Sequence, residues 1–276
     1  GNRLLIESCD IRNADISSHQ FGVGGIIGYT QGDNAASFTE INRCTVTRAN
    51  IYSTNGHSVG GIVGRQGAAG AVSIYTSQVG RSDKQGQVTI SGEFAIGGII
   101  AYADASSTCA NAFIDCRVYS NVTIKRTGDT NASAYGLPYG TAIGGIVGAI
   151  LDNTGGYATF SGRVEFQGTI DLGSYTNSKN VGGVVGYMGT TARMEESIVM
   201  IGGTINIADG GSGENIGGFA GISKGVCLDG IFCVYPVLNT ANSNNVGGFI
   251  GYNDGDTYIT RTARIYTGLS VNDYTP

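Results

Sequence analysis

The chain has 276 residues, 41% of them apolar and 13% charged, with 47 glycines, 3 prolines and no tryptophan. That length and apolar content exclude wholesale disorder and leave enough material for a substantial core. The formal charge of −5 and the lack of any basic run offer nothing to a nucleic-acid backbone or an anionic membrane, and no apolar stretch approaches the roughly 20 residues of a transmembrane helix.

In chain order, Leu5 to Ile16 reads as the first half of a repeat, and the first glycine-bearing string follows as Val23-Gly24-Gly25-Ile26-Ile27-Gly28. Strings of the same form recur at 59–64, 96–101, 143–148, 181–186, 216–221 and 246–251, so the first glycine of each doublet falls at 24, 60, 97, 144, 182, 217 and 247. The spacings are 36, 37, 47, 38, 35 and 30 residues, a period that marks a solenoid, propeller or array whose units bury their apolar faces by stacking on one another. Tyr258 to Val271 reads as the first half of an eighth unit. With Gly1 in place of an initiator methionine, the chain is expected to be a single repeat domain, 1–276, cut from something longer.

Within a unit, Cys9-Asp10-Ile11 and Ala14-Asp15-Ile16 match Cys44-Thr45-Val46 and Ala49-Asn50-Ile51. Phe166 with Ile170/Leu172, and Met200 with Ile205/Ile207, are assigned the same places further on. Apolar residues alternate within each run, which is strand periodicity, and the phase slips between the two runs, which predicts a corner. Paired glycines inside every apolar run and the prevalence of Val, Ile and Thr argue against helix. The prediction is an all-β, parallel β-solenoid of about three short strands per coil, near Val46, Ile51 and Ile62. A β-propeller is the alternative, but it needs four strands per blade. The glycines are read as packing residues, because the strand–loop–helix context of a phosphate site is missing.

The string Val-Gly-Gly-Ile-Val-Gly of 59–64, and its extension Gly-Tyr at Gly28-Tyr29, Gly186-Tyr187 and Gly251-Tyr252, resembles the GLUG motif. GLUG-type repeats occur in large bacterial surface proteins, including adhesin-like molecules and non-catalytic regions of some surface peptidases, and in extracellular proteins of some protists. The resemblance covers essentially the whole chain, and its motif is structural, so it carries no catalytic residues over. This chain departs from the usual pattern with Ile or Phe where leucine is common, with Ala101 in place of the last glycine of the third copy, and with an insertion from Thr127 to Tyr139.

The resemblance implies an extracellular or cell-surface location and a structural or adhesive role as a stalk, filament subunit or binding surface. Partners would be proteins or glycans at a cell surface, or copies of the chain stacked end to end. Parallel β-helices also host polysaccharide lyases and hydrolases that work with paired carboxylates, and Asp115, Asp152, Glu165, Asp171, Glu195 and Glu196 are available. They do not recur at one repeat position, and Glu195 and Glu196 are expected on opposite faces of a strand, so the reading is non-catalytic, with a carbohydrate-active enzyme as the alternative.

Six cysteines, Cys9, Cys44, Cys109, Cys116, Cys227 and Cys233, are candidates for disulfides. Cys9 and Cys44 occupy one place in adjacent units, within reach of a bridge across strands about 4.8 Å apart. Buried free thiols are the competing reading. No Cys-x2-Cys spacing supports zinc, and no cofactor is expected. His19 and His57 are placed in the same exposed turn of adjacent coils, and Asn253-Asp254-Gly255-Asp256 is read as a polar turn, since the later glutamate of a calcium loop is missing. Asn121-Val122-Thr123 and Asn131-Ala132-Ser133 are glycosylation sequons. Tyr29, Tyr102, Tyr187 and Tyr252 share a repeat position, either capping the core edge or forming an exposed aromatic strip.

Overall fold

The computed structural model describes residues 1–276 except 33, 35, 68, 69, 105–109, 130–139, 152–156, 241, 261–263 and 267–276; the side chains of Cys227 and 264–266 also lie outside the description. Among the described residues all regular structure is strand, and every pairing is parallel between successive coils. The architecture is a β-solenoid of about seven turns, not a propeller.

Each coil contributes to three sheets. A sheet of Val-Gly strands runs in strict coil order from Phe21–Gly24 through His57–Gly60, Phe94–Gly97, Ile143–Gly144, Ser178–Gly182 and Gly213–Gly217 to Ser243–Gly247. A sheet of Gly-Tyr strands does the same from Ile27–Thr30 and Val63–Gln66 to Ile250–Asn253. The third and broadest sheet, 18-stranded, gathers the rest. In the second coil these are Phe38–Asn42 and Thr45–Ser53.

The predicted corner lies inside Thr45–Ser53. Arg48 takes a left-handed backbone (φ 50°), as Asn13 does one coil earlier (φ 52°), and either side of it Val46 and Ile51 both turn into the core. Two features of the coil differ from expectation. Phe38–Asn42 is an additional arm, with Thr39 and Ile41 inward; it contains a single strongly apolar inward residue, so its alternation is hard to read. The glycine string is not one strand but two, broken by a bend at Gly61-Ile62. Each coil thus has four or five arms rather than three.

The three glycines of the string serve three different contacts. A Cβ on Gly60 would lie 1.9 Å from the Val63 carbonyl oxygen, inside its own bend. One on Gly61 would lie 2.1 Å from Gly98 O of the following coil, and one on Gly64 would lie 2.5 Å from Gly28 O of the preceding coil. Only hydrogen fits where backbones approach this closely. The bend itself stays in the ladder: Gly61 N–H donates to Gly97 O at 3.2 Å, and Ile62 and Val63 N–H to Ile99 O at 2.9 and 3.0 Å.

Just before each Val-Gly pair the backbone is left-handed in all seven coils, at Gly22, Ser58, Ala95, Ala142, Asn180, Asn215 and Asn245. Asparagine tolerates this region better than other side chains, and here it gains a further use. Asn215 Nδ2 donates to Asn180 Oδ1, and Asn245 Nδ2 to Asn215 Oδ1, each at 2.9 Å. Inside the solenoid one continuous core includes Ile41, Val46, Ile51, Ile62, Ile99, Phe160, Phe166 and Phe232, all fully buried. A smaller cluster, Phe94, Ala95, Tyr102, Ala142, Ala149, Tyr187 and Ile222, stands apart from it.

Candidate functional site

In the first and third coils an aromatic residue stands at one position of each glycine sheet, and the second coil carries a histidine and an arginine there instead; further along, the same columns also hold non-aromatic residues, Ala149 and Ile222 in one and Lys179 and Glu214 in the other. At the head of the Val-Gly strands, the register stacks Phe21, His57 and Phe94, with ring centroids 5.7 and 4.8 Å apart and interplanar angles of 17° and 15°. In the Gly-Tyr sheet, Arg65 lies in register between Tyr29 and Tyr102, its guanidinium carbon 4.6 Å from the Tyr102 ring centroid. Beside these two residues opens a cleft of about 560 Å³ lined by His19, Gln20, Phe21, Asn55, Gly56, His57 and Arg65. No acidic side chain is among these lining residues.

The polar groups of the cleft are held in place. Asn55 Nδ2 faces His19 Nε2 at 3.3 Å, which makes Nε2 the acceptor and leaves the Nδ1 proton to Thr54 Oγ1 at 2.7 Å. His57 Nδ1 pairs with Ser58 Oγ at 2.9 Å. Arg65 Nε is buried without a hydrogen-bond partner, and Arg65 forms none of the ion pairs among the described residues.

His57 is 6% exposed. Burial, and next the charge of Arg65, bring its pKa down from the usual 6.5 to about 4. The folded chain therefore keeps this ring neutral, while the unfolded chain takes up a proton as the pH falls through 6.5. Stability from this group is complete above pH 6.5 and is lost as the pH falls toward 4, by roughly 3 kcal/mol in all. Denaturant midpoints at pH 7.5 and 4.5 are expected to differ by less in His57→Phe than in the parent chain; an equal difference would assign the acid sensitivity elsewhere.

The expected pairing of His19 with His57 in one exposed turn is corrected. Two residues separate Ser18 from Phe21, whereas three separate Ser53 from His57, while Ser18↔Ser53 and Phe21↔His57 remain in register. The longer turn carries His57 into the strand, and His19 stays outside beside Thr54 and Asn55.

Register does bring Cys9 and Cys44 together: the Cys9 N–H donates to Cys44 Sγ at 3.4 Å. In this structure Cys9, Cys44, Cys116 and Cys233 are free thiols. Cys44 and Cys116 Sγ donate to carbonyls, Asn42 O at 3.3 Å and Ile74 O at 3.5 Å among them. Burial raises the Cys116 thiol to about 12, with Asp115 adding to the effect, so it behaves as a small core residue. Cys109 and the Cys227 side chain lie outside the described residues.

The carboxylates serve local structure. Asp115 Oδ1 accepts the Arg163 N–H at 2.8 Å, and Glu165, 3% exposed, pairs with Arg163 Nε at 2.9 Å and with Gln167 Nε2. Asp171 Oδ1 accepts the Gly173 N–H at 3.0 Å. Glu195 and Glu196 are both exposed, not on opposite faces, because a left-handed backbone at Glu196 (φ 48°) and the register shift beside it break the alternation. Asp152 lies outside the described residues. Asn253 and Asp254 form a polar turn, Asp254 pairing with Lys224, and among the described residues no three His, Cys, Asp or Glu side chains gather as metal ligands.

Asn121 is 4% exposed; its Oδ1 accepts the Arg81 N–H at 3.0 Å and its Nδ2 donates to Gly86 O. A glycan on that nitrogen would displace the Gly86 bond; Asn131 lies outside the described residues. The tyrosine position behaves in two ways. Tyr102 and Tyr187 are buried in the smaller core, while Tyr29 and Tyr252, in the first and last complete coils, are 45% and 44% exposed. The His57/Arg65 pair could have been found by aligning the strings, since Arg65 stands where four other copies carry tyrosine.

No protein-family model, no curated protein and no solved structure matches the chain.

Proposed function

We propose that the chain is an extracellular or cell-surface repeat module that serves as a stalk or adhesive surface and has no catalytic role of its own. The observation that supports this is the parallel coil-to-coil pairing of all three sheets over about seven turns, a rod of roughly 30 Å at about 4.8 Å per coil whose outward columns repeat at fixed spacing. The GLUG-like glycine strings agree with such a role. Beads coated with the chain are expected to be retained on arrayed glycans or matrix proteins without releasing soluble products. Cleavage of an acidic polysaccharide, abolished by Glu165→Gln, would overturn the reading in favour of a carbohydrate-active enzyme.

A second reading, end-to-end association of copies, is favoured by where apolar surface is exposed. Apart from Tyr157, the large exposed apolar side chains among the described residues sit at the two ends. Leu4, Leu5, Phe21 and Tyr29 are in the first coil; Val237, Val246, Tyr252, Tyr258 and Ile259 are in the last turns. Open strand edges of this kind template further strands. Sedimentation velocity is expected to show concentration-dependent growth, and a strictly monomeric chain would remove this second reading.

A further inference from the structure

We infer that the cleft of the second coil binds a carboxylated pyranose, an inference that rests on the adhesive reading above. The coils on either side of the second carry aromatic rings at these two positions, Phe21 and Phe94 around His57 and Tyr29 and Tyr102 around Arg65, although more distant coils also place Ala149 and Ile222 in the tyrosine column. The second coil places a neutral imidazole and a guanidinium next to one another, and the cleft opens at the same point.

Each wall of the cleft matches one part of such a ligand. Arg65 has an aromatic ring at its back and no carboxylate partner among the described residues; its planar fork is suited to a carboxylate, which it holds through two parallel hydrogen bonds. Phe21 has one ring face on His57, and the residue is 48% exposed. It offers an apolar platform for the hydrophobic face of a sugar ring. Gln20, Asn55 and His19 supply donors and acceptors for hydroxyls, and a volume of about 560 Å³ suits a ligand of one to three rings. Arg65 is the one guanidinium or ammonium group among the lining residues, matching a single carboxylate.

The test is calorimetric titration of the full chain with trigalacturonate, 3′-sialyllactose, trigalacturonate methyl ester and N-acetylglycylglycine. A second copy stacked on the first coil would cover Phe21, so the titrations are made at concentrations where the chain is monomeric. At least one of the two acidic sugars is expected to bind, and which one identifies the type of acid recognised. The methyl ester, tested where trigalacturonate binds, is expected to bind at least tenfold more weakly. Arg65→Tyr, which gives this coil the tyrosine of its two neighbours, and Arg65→Gln are each expected to lose at least tenfold in affinity, with Arg65→Tyr melting no lower than the parent.

The inference is overturned if neither sugar binds, if the ester binds as tightly as the acid, if both variants bind like the parent, or if the peptide carboxylate binds more tightly than either sugar. Bead retention separates the two levels. Retention of the parent without sugar binding removes this inference alone, whereas a folded parent that is retained on nothing removes the adhesive reading.

Discussion

Gly182→Val and Gly183→Val are each expected to destroy the protease resistance of the solenoid and to cost at least about 3 kcal/mol, the upper end of ordinary overpacking. A Cβ at Gly182 would sit 2.2 Å from Val185 O and 2.7 Å from Gly221 N; one at Gly183 would sit 2.2 Å from Gly218 O. These obstacles are backbone atoms tied into ladders on both sides, so neither can yield without disturbing two neighbours. Gly248 provides the control. It holds the same motif position as Gly183, but a Cβ there meets nothing within 4 Å, and Gly248→Val is expected to leave the denaturant midpoint nearly unchanged. Gly67→Ala is expected to be mild as well, since its nearest obstacle is the hydroxyl end of the Tyr29 side chain. If Gly183→Val resisted protease like the parent, the close approach of successive coils at the second glycine would be wrong.

Arg126→Met is expected to destabilise the chain by about 3 kcal/mol, because it removes several hydrogen bonds from a charged donor, each contributing about 1.5–3 kcal/mol before the methionine's own packing offsets part of the loss. Arg126 is 1% exposed at the end of the strand Val122–Arg126. It donates through Nη1 to Thr176 O and Ser178 Oγ, both at 2.8 Å, and through Nε to Glu93 O at 3.4 Å. Its Nη2 pairs with Asp129 at 2.9 Å, where the long insertion begins. Three coils thus meet at one side chain. Arg126→Lys is not expected to rescue, since a point charge cannot reach partners on opposite sides as the fork does. Asp129→Asn, at a half-exposed partner, is expected to cost less than about 1 kcal/mol. Equal denaturant midpoints for Arg126→Met and Asp129→Asn would show that the ion pair, not the buried fork, carries the contribution.

The glycine strings made the coil number and register readable in advance, because the backbone contacts they permit recur through most of the coils. Val23↔Val59 and Gly24↔Gly60 pair as the string alignment requires, and Ile11↔Val46 and Ile16↔Ile51 follow from the two short apolar runs. Later copies were less legible where adjacent apolar residues compete. Ile201, not Met200, holds the Phe166 register, a slip of one residue in a run where both neighbours are apolar. The left-handed positions were legible only in part: Gly22, Asn180, Asn215 and Asn245 are residue types that favour such a backbone, but Ser58, Ala95 and Ala142 announce none; there the stacked coils impose it. The candidate site was half visible. His57 and Arg65 differ from their repeat partners in plain sequence, but their adjacency depends on how the two glycine sheets fold against one another.

The direction of the ladders gives the rod an uneven mechanical character. Successive coils are held to one another by hydrogen bonds that lie along the axis, so tension applied between the two ends opens them in sequence, as a zipper opens, and does not shear them together. Each coil that lets go releases its own contour. The spacing of 30 to 47 residues between strings, at roughly 3.4 Å per extended residue, makes those releases about 100 to 160 Å, the longest at the coil that carries the insertion. Under load the chain would lengthen in discrete, unequal steps and act as an extensible tether.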